Sequence, residues 1–310
     1  MKDRNVSRRT FIGSSAVAAL GGAAFSLSAC SSVSAARTGG STSASPAPPP
    51  EGKIIDTNVY LGRWPFRQLP EGEPAQLVNM LHRHGVQQAW TGSLSGPFYK
   101  DVRPLNARLA QKCEQYGDGL LVPFGTVNPN LPDWKEDLRL CDEEHQMPGI
   151  RLHPNYHNYA LDDPVFADLL EQAAARGMIV QLVPWMRDER HHHTEMPVAT
   201  TNLEPLPAAA RAVPNLPLVL LNGFRAAGVP PSGVLETDNI FFDFAKLDVL
   251  LGLRRLLDEV PLRRVLFGSF APMFYFAHAP LKMQESAVTG AEAQALRRDN
   301  AHRLLQRAKS

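Results

Sequence analysis

The stretch KIIDTNVYLGRWPFR, residues 53–67, decides the fold of this chain. Its first half is an apolar run that predicts a β-strand over residues 54–60. Asp56, Asn58 and Tyr60 share one parity of that strand, because successive side chains of a strand point to opposite faces. A strand buried on both sides has little use for polar residues in its packing. Their presence therefore indicates that the end of the strand contributes to a site.

Short apolar runs of this kind alternate with longer helical patterns along the rest of the chain, which is typical of βα units with a parallel sheet. Residues 164–176, for example, carry apolar side chains at helical spacing. The stretch from residue 53 to residue 310 has the length of one (β/α)8 barrel, about 250 residues. We therefore predict one α/β domain, a (β/α)8 TIM barrel over 53–310, with strands at 54–60, 87–91, 120–126, 149–153, 179–183, 218–222, 240–244 and 265–269.

Residues 1–30 have the pattern of a bacterial export signal. Ser7-Arg8-Arg9-Thr10-Phe11-Ile12 matches the twin-arginine motif, and Leu27-Ser28-Ala29-Cys30 matches a lipobox. We expect export by the twin-arginine route, lipidation of Cys30, and attachment to the periplasmic or extracytoplasmic side of a membrane. A transmembrane anchor is the alternative, but this run is rich in Gly, Ser and Ala rather than strongly apolar residues.

Residues 31–52 are dense in Ser, Ala, Gly and Pro, which predicts a disordered linker. The whole chain carries a net charge of +1, and the signal holds four Lys or Arg residues against one Asp. The net charge of the mature protein is therefore close to −2. This charge gives no reason to expect a nucleic-acid partner.

Two cysteines remain once Cys30 is assigned to lipid. Cys113 and Cys141 fall in predicted helices, at 106–116 and 134–146, where a cysteine is typically a small buried apolar residue. A disulfide between them is the alternative in an export compartment. The sequence does not place their Cα atoms within bonding distance.

Four landmarks resemble the amidohydrolase superfamily, in the amidohydrolase-related branch that includes carboxymuconate-semialdehyde decarboxylases and pyrone-dicarboxylate lactonases. They follow one another along the domain at residues 55–60, 149–154, 214–223 and 264–272, and the terminal segment 300–305 supports them. The resemblance implies a TIM barrel with hydrolase or lyase chemistry at the barrel mouth and a zinc or manganese site.

The ligands implied by the resemblance are absent from this chain. The family carries His-x-His on strand one, histidines at the ends of strands five and six, and an aspartate at the end of strand eight. Those positions here are Asn58, Tyr60, Gln181 or Val183, Asn222 and Phe270. We therefore expect that the metal site is lost and that the protein has no metal cofactor. Phe270 also replaces the base that metal-free lactonases of the superfamily use.

The candidate catalytic residues are His153, Arg151 and Tyr60, with His153 as acid or base, Arg151 stabilising negative charge and Tyr60 as a donor. Because the branch acts on carboxylates, arginines at strand ends are candidates for binding them through paired N–H groups. Ion pairing within the protein is the alternative for most of these arginines. The candidate substrate-binding residues are Arg63, Trp64, Arg151, Arg187, Asn222 and Asp243.

Three hypotheses for function follow. In the first, the protein binds a small carboxylate or lactone-like molecule at the barrel mouth, with weak or no hydrolase activity. In the second, it is a hydrolase or lyase that uses His153 and Arg151, either without metal or with a metal relocated to His153, His157 and the loop at 188–193. In the third, it is a scaffold at the membrane surface, with Phe270 and its neighbours filling the mouth and an apolar patch elsewhere.

Overall fold

A computed structural model describes residues 53–186, 197–224 and 230–308. The predicted signal at 1–30 and linker at 31–52 lie outside the described residues and stay predictions. Within the described residues every predicted strand is present, and all pairings between strands are parallel. The strands are β1 Ile54–Leu61, β2 Val86–Ser93, β3 Leu121–Pro123, β4 Gly149–Leu152, β5 Ile179–Leu182, β6 Leu218–Leu220, β7 Ile240–Asp243 and β8 Val265–Leu266.

The strands pair in two runs, β1-β2-β3 and β4-β5-β6-β7-β8, which meet at two seams. Backbone hydrogen bonds across both seams close the sheet into a barrel, so the predicted (β/α)8 architecture is confirmed. These bonds join Gly125 N to Gly149 O (3.2 Å), Arg151 N to Gly125 O (2.7 Å), Thr57 N to Phe267 O (2.9 Å) and Tyr60 N to Ala271 O (2.9 Å).

Helices follow the strands and cover the outside of the barrel. Several begin with proline in the first turn, where its missing N–H leaves no helical bond unmade. The helix at Gly290–Gln294 begins with a capping box between Thr289 and Glu292. Their bounds are α1 Pro74–Arg83, α2 Arg103–Gly117, α3 Trp134–Arg139, α4 Pro154–His157, α5 Pro164–Ala175, α6 Leu206–Ala212, α7 Ser232–Glu236, α8 Gly252–Glu259, α9 His278–Glu285, α10 Gly290–Gln294 and α11 Asn300–Ala308.

The apolar core has two parts. One lies between the strands and the helices, and α5 contributes Phe166, Leu169 and Leu170 to it, as the helical spacing predicted. The other fills the barrel interior, where Trp90 stacks on Phe124 with ring centroids 5.1 Å apart. Buried polar side chains also lie in this interior, among them Asn58, Arg151 and His153.

Cys113 and Cys141 are buried free thiols, so the predicted apolar role is confirmed and the alternative of a disulfide is wrong. Burial raises the pKa of both thiols to about 12, which keeps them protonated. The Cys141 sulfur accepts a hydrogen bond from the Asn106 side chain at 3.3 Å.

No helix among the described residues is long and apolar enough to span a membrane.

Candidate functional site

Strand β1 meets the ends of β6 and β7 in a cluster of two amides and a carboxylate, formed by Asn58, Asn222 and Asp243. The Asn58 side-chain nitrogen donates to Asn222 Oδ1 at 3.0 Å and to Asp243 Oδ2 at 2.6 Å. The backbone N–H of Asn222 donates to Asp243 Oδ1 at 2.8 Å. All three residues are fully buried. This amide–carboxylate cluster therefore ties β1 to the ends of β6 and β7.

The backbone after β6 and β8 is shaped to fit the cluster. Asn222 adopts a left-handed conformation (φ 56°), which asparagine tolerates better than most residues. Gly268 lies against the cluster, and a Cβ there would stand 2.6 Å from Asp243 Oδ2. Only glycine fits this close approach without displacing the carboxylate.

Asp56 extends the polar interior toward β8. Its Oδ1 accepts backbone hydrogen bonds from Asn58 and from Ser269, both at 3.0 Å, while Oδ2 has no partner among the described residues. Burial raises the pKa of Asp56 to about 7, against the opposing effect of these hydrogen bonds. Burial likewise raises the pKa of Asp243 to about 6, although the hydrogen bonds from Asn58 and Asn222 lower it.

Arg151 lies inside the barrel, and its guanidinium is bonded to the protein on every side. Nε donates to Gln181 Oε1 at 2.7 Å and Nη1 to the Val59 carbonyl at 2.7 Å. Nη2 donates to the carbonyls of Trp90, at 2.9 Å, and Thr57, at 3.3 Å. These four bonds join β4 to β1, β2 and β5.

This geometry corrects the expectation that Arg151 presents a fork for a substrate carboxylate. The residue is fully buried, and its guanidinium carbon lies 4.3 Å from the centre of the Tyr60 ring. Gly92 makes room for the side chain, since a Cβ at that position would lie 2.8 Å from Arg151 Nη1. The place of Arg151 in the strand predicted at 149–153 is confirmed, but the sequence did not show that three backbone carbonyls and the Gln181 side chain accept from its donors.

Tyr60 and His153, two of the candidate catalytic residues, are in contact. The Tyr60 hydroxyl lies 3.3 Å from His153 Nε2 and 3.4 Å from the Met186 sulfur. Burial raises the pKa of Tyr60 to about 12, and burial, followed by the charges of His157 and Arg151, lowers the pKa of His153 well below its usual value. Both groups are therefore neutral near pH 7. His153 Nδ1 has no partner among the described residues.

His157 lies next to this pair, with its ring centroid 6.2 Å from that of His153. Its Nε2 is 3.1 Å from the Gly96 carbonyl, and burial lowers its pKa. Because the carbonyl can only accept, Nε2 carries the proton. His157 thus holds the loop after β2 against the segment that follows β4.

Lys246 is a residue of the mouth that the sequence analysis missed. It follows β7 and is only 4% exposed. Nζ donates to the Met186 carbonyl at 2.8 Å and lies over the ring of Trp185 at 3.7 Å. The rings of Phe270 and Phe274 are 4.9 and 5.6 Å from it. A lysine inside the apolar sequence Phe241-Phe242-Asp243-Phe244-Ala245-Lys246 was the signal that would have identified it.

The other predicted binding residues separate in space. The Arg63 side chain is 85% exposed and pairs with Glu73 at 2.8 Å, which is the ordinary ion pair that was its alternative. It lines an open cleft of about 460 Å³ beside α2. Trp64 is buried against Phe98, with ring centroids 5.2 Å apart. Arg187 and the histidines of the loop at 188–193 lie outside the described residues.

The residues at the implied metal positions do not fit a zinc or manganese ion. Asn58 and Asn222 are hydrogen-bonded to each other, Tyr60 is a neutral phenol beside His153, and Phe270 packs its ring 5.8 Å from that of Tyr60. Such ions favour imidazole, carboxylate or thiolate ligands. Within the described part of the chain, no three His, Cys, Asp or Glu residues are arranged to hold a metal ion.

The chain matches the amidohydrolase family model over residues 69–307. It is similar to a solved putative amidohydrolase from Staphylococcus aureus, at 13% identity and a TM-score of 0.64 over 82% of this chain and 99% of that one. It is also similar to the 2,6-dihydroxybenzoate decarboxylase from Rhizobium, at 14% identity and a TM-score of 0.65 over 82% and 99% of the two chains.

A third similar structure is a dihydroxybenzoic acid decarboxylase from Polaromonas sp. JS666, solved with bound manganese and the inhibitor 2-nitroresorcinol. It shares 13% identity and a TM-score of 0.64, over 82% of this chain and 97% of that one. No curated protein matches this chain. At these identities the solved structures support the barrel fold, and the family model supports the assignment made from the sequence landmarks.

Proposed function

The chain belongs to the amidohydrolase family, and from that premise we propose that it binds a small organic carboxylate or lactone-like molecule at its barrel mouth without the family's metal ion. The observation that carries this proposal is the Asn58 amide, which donates to both Asn222 and Asp243. Hydrogen bonds between side chains hold together the strand ends at which the family's metal ligands are expected. The proposal includes weak or no hydrolase activity.

The mouth retains groups that suit a small polar ligand. Tyr60 and His153 form a neutral donor–acceptor pair, and Trp64 carries an indole N–H without a partner among the described residues. Aromatic rings surround these groups, as is common in small-molecule sites. The similar decarboxylases are named for dihydroxybenzoates, which are aromatic carboxylates. We therefore take aromatic carboxylates as the first ligands to test.

A second candidate is catalysis without metal, and the Tyr60–His153 contact of 3.3 Å favours it. The His153 imidazole would take up a proton from a bound ligand, and the Tyr60 phenol would donate a proton to the same ligand. Arg151 does not stabilise negative charge on a ligand in this candidate, because its guanidinium donates four hydrogen bonds inside the barrel. It supports the Tyr60 ring instead.

A third candidate, the scaffold, has an observation of its own. Val249, Leu250 and Leu251 are exposed in the loop before α8, and Leu281 is exposed on α9. A hydrogen bond from the Leu251 backbone to Glu285 at 3.1 Å connects this loop to α9. Exposed apolar patches frequently mark interaction surfaces. Ligand binding separates the candidates, because the scaffold requires no stabilisation by any carboxylate.

The proposed function predicts stabilisation by carboxylates that does not depend on metal. A carboxylate present at a hundred times its dissociation constant stabilises the folded state by about 2.7 kcal/mol. For a domain of this size, that corresponds to a rise in melting temperature of roughly 5–10 °C. We expect this rise in a thermal unfolding screen, with and without chelator. The untagged protein should contain well under one equivalent of zinc, manganese or iron.

The matched variant for this test is Phe270→Asp, which restores the carboxylate implied for strand eight. It should not gain a metal ion, because Asn58, Tyr60 and Asn222 supply no imidazole beside it. One tightly held metal per chain in the wild-type protein, or a melting temperature that falls on adding chelator, contradicts the proposal. Such a result would direct attention to His153, His157 and the loop at 188–193.

We also propose that the protein is exported and anchored by lipid at Cys30. Replacing Cys30 with alanine should release it from the membrane fraction, since the acyl chains would then be absent. Fractionation followed by immunoblotting measures this, and Cys113→Ala serves as the control because that thiol is buried in the barrel domain. If the Cys30→Ala protein stays with the membranes as the wild type does, the lipobox interpretation is wrong.

A further inference from the structure

A cleft lies between the segments that follow β1 and β2 and one face of α2, and we call it the α2 cleft. Its volume of about 460 Å³ is within the range of small-molecule sites. Leu61, Leu105 and Leu109 line it and are almost completely buried, so they form an apolar floor, and the half-exposed Tyr99 lines it as well. Neither the amide–carboxylate cluster nor any candidate catalytic residue lines it, so the cleft is separate from the site at the barrel mouth.

Three cations line the α2 cleft against a single carboxylate. Arg108 and Lys112 lie four positions apart on α2, and side chains at this spacing share one face of a helix. Arg63, which follows β1, stands beside Glu73, its partner in an ion pair. The side chains of the lining therefore carry a net charge of +2, whereas the net charge of the mature chain is close to −2.

Most of the donors in the α2 cleft have no partner. Arg108 and Lys112 are exposed, and neither side chain forms a hydrogen bond or ion pair with the described part of the chain. Arg63 donates to one oxygen of Glu73 through Nε (3.2 Å) and Nη2 (2.8 Å), which leaves Nη1. The Ser93 hydroxyl accepts from a neighbouring backbone N–H at 3.2 Å, and its own proton has no acceptor among the described residues. The cleft thus offers positive charge together with N–H and O–H donors.

We infer that the α2 cleft is a second binding site and that its ligand is a small organic phosphate ester. A phosphate group carries close to two negative charges near neutral pH and has three strong acceptor oxygens. Arginine binds such a group through paired N–H donors, and lysine binds it as a point charge. The apolar floor and the Tyr99 ring provide a surface for the organic part of the ligand. The inference does not depend on the ligand proposed for the barrel mouth.

A carboxylate matches the α2 cleft less well than a phosphate ester does. A carboxylate has a single charge and two oxygens, and Arg63 already pairs with a carboxylate of the protein. A phosphate ester brings more charge and one more acceptor oxygen to the two cations of α2, which have no acid beside them among the residues that line the cleft. Charge and donor number therefore favour the phosphate ester.

The test measures the binding of phenyl phosphate to the full-length protein and to Arg108→Met by calorimetry. We expect the dissociation constant to rise about tenfold in the variant, because one charge-assisted hydrogen bond is lost. Arg255→Met is the matched control, since Arg255 is also an exposed arginine of a helix, α8, but does not line the cleft. It removes the same charge from the protein and should leave the affinity unchanged.

Glu73→Gln should change the affinity in the opposite direction. The substitution removes the one carboxylate of the lining and releases Arg63 Nε and Nη2 from their ion pair. The dissociation constant of phenyl phosphate should therefore fall about threefold. Loss of folding cannot produce a gain of affinity, so this variant tests the site independently of Arg108→Met. A dissociation constant that stays the same or rises in Glu73→Gln overturns the assignment.

The remaining outcomes separate this site from the one at the barrel mouth. No binding of phenyl phosphate to the wild type, or equal binding to Arg108→Met, overturns the inference and leaves the proposed function as it stands. Equimolar benzoate should not displace phenyl phosphate, and displacement would mean that the two ligands share one site, which also overturns it. Vesicles containing phosphatidic acid carry the same group at a lipid surface. If the Cys30→Ala protein binds them but not phenyl phosphate, the assignment to a small ester is wrong.

Discussion

Replacing Arg151 with alanine should lower the free energy of unfolding by about 5 kcal/mol, among the largest effects of a single substitution. The change removes four hydrogen bonds in the barrel interior. The Gln181 oxygen and three backbone carbonyls lose a charged donor, and a buried acceptor left without a partner costs about 1–3 kcal/mol. The Thr57 carbonyl keeps the hydrogen bond that it accepts from Gln181 Nε2 at 2.8 Å. Denaturant unfolding followed by circular dichroism measures the loss.

Arg63→Ala is the control for this experiment. Its side chain is 85% exposed and makes an ion pair with Glu73 at the surface, so its removal should cost at most about 1 kcal/mol. Arg151→Met, which restores most of the volume but none of the donors, should remain strongly destabilised. An Arg151→Ala protein as stable as Arg63→Ala would show that the guanidinium is not the centre of the interior network.

The stability of the wild-type protein relative to Asp56→Asn should fall as the pH rises from about 4 to above 7. Burial raises the pKa of Asp56 from its unfolded value of 3.8 to about 7 in the folded protein. A raised folded pKa means that the folded state holds the proton more tightly. The contribution is therefore fully present below the unfolded pKa and is lost as the pH passes through the folded one, a change of up to about 4 kcal/mol.

The comparison with Asp56→Asn isolates this effect from other carboxylates. Surface acids such as Glu292, whose hydrogen bond to Arg254 lowers its pKa to about 2, contribute a pH dependence of opposite sign to both proteins. Their contribution cancels in the difference between the two unfolding free energies. A difference that stays constant between pH 4 and pH 8 would mean that Asp56 keeps its usual pKa in the folded protein.

Much of the fold was predictable because its signal is local. A buried parallel strand is an apolar run, and a covering helix shows apolar spacing in its own residues, as in α5. Every strand predicted within the described residues is present, although β3, β6 and β8 are shorter than the apolar runs from which they were predicted. The ladder of β6 ends at Leu220, two residues before Asn222 turns into its left-handed conformation.

The site was predictable in its members but not in their roles. The family landmarks at 55–60 and 149–154 identified Asn58, Tyr60, Arg151 and His153, and all four lie in the barrel interior or at its mouth. Which of these side chains could contact a ligand depends on which protein groups already accept or donate their hydrogen bonds. Arg151, the preferred carboxylate ligand, is held by carbonyls from three strands, and those contacts span as many as 94 positions of the chain.

By itself the sequence determined the barrel, the family and the absence of the expected metal ligands, since each is a matter of residue type and spacing along the chain. Only the tertiary structure decided that Asn58 bridges Asn222 and Asp243 and that Lys246 stands among Trp185, Phe270 and Phe274. The physical reason is that burial and partners set the chemistry of a polar side chain. In a closed barrel those partners come from strands distant in sequence.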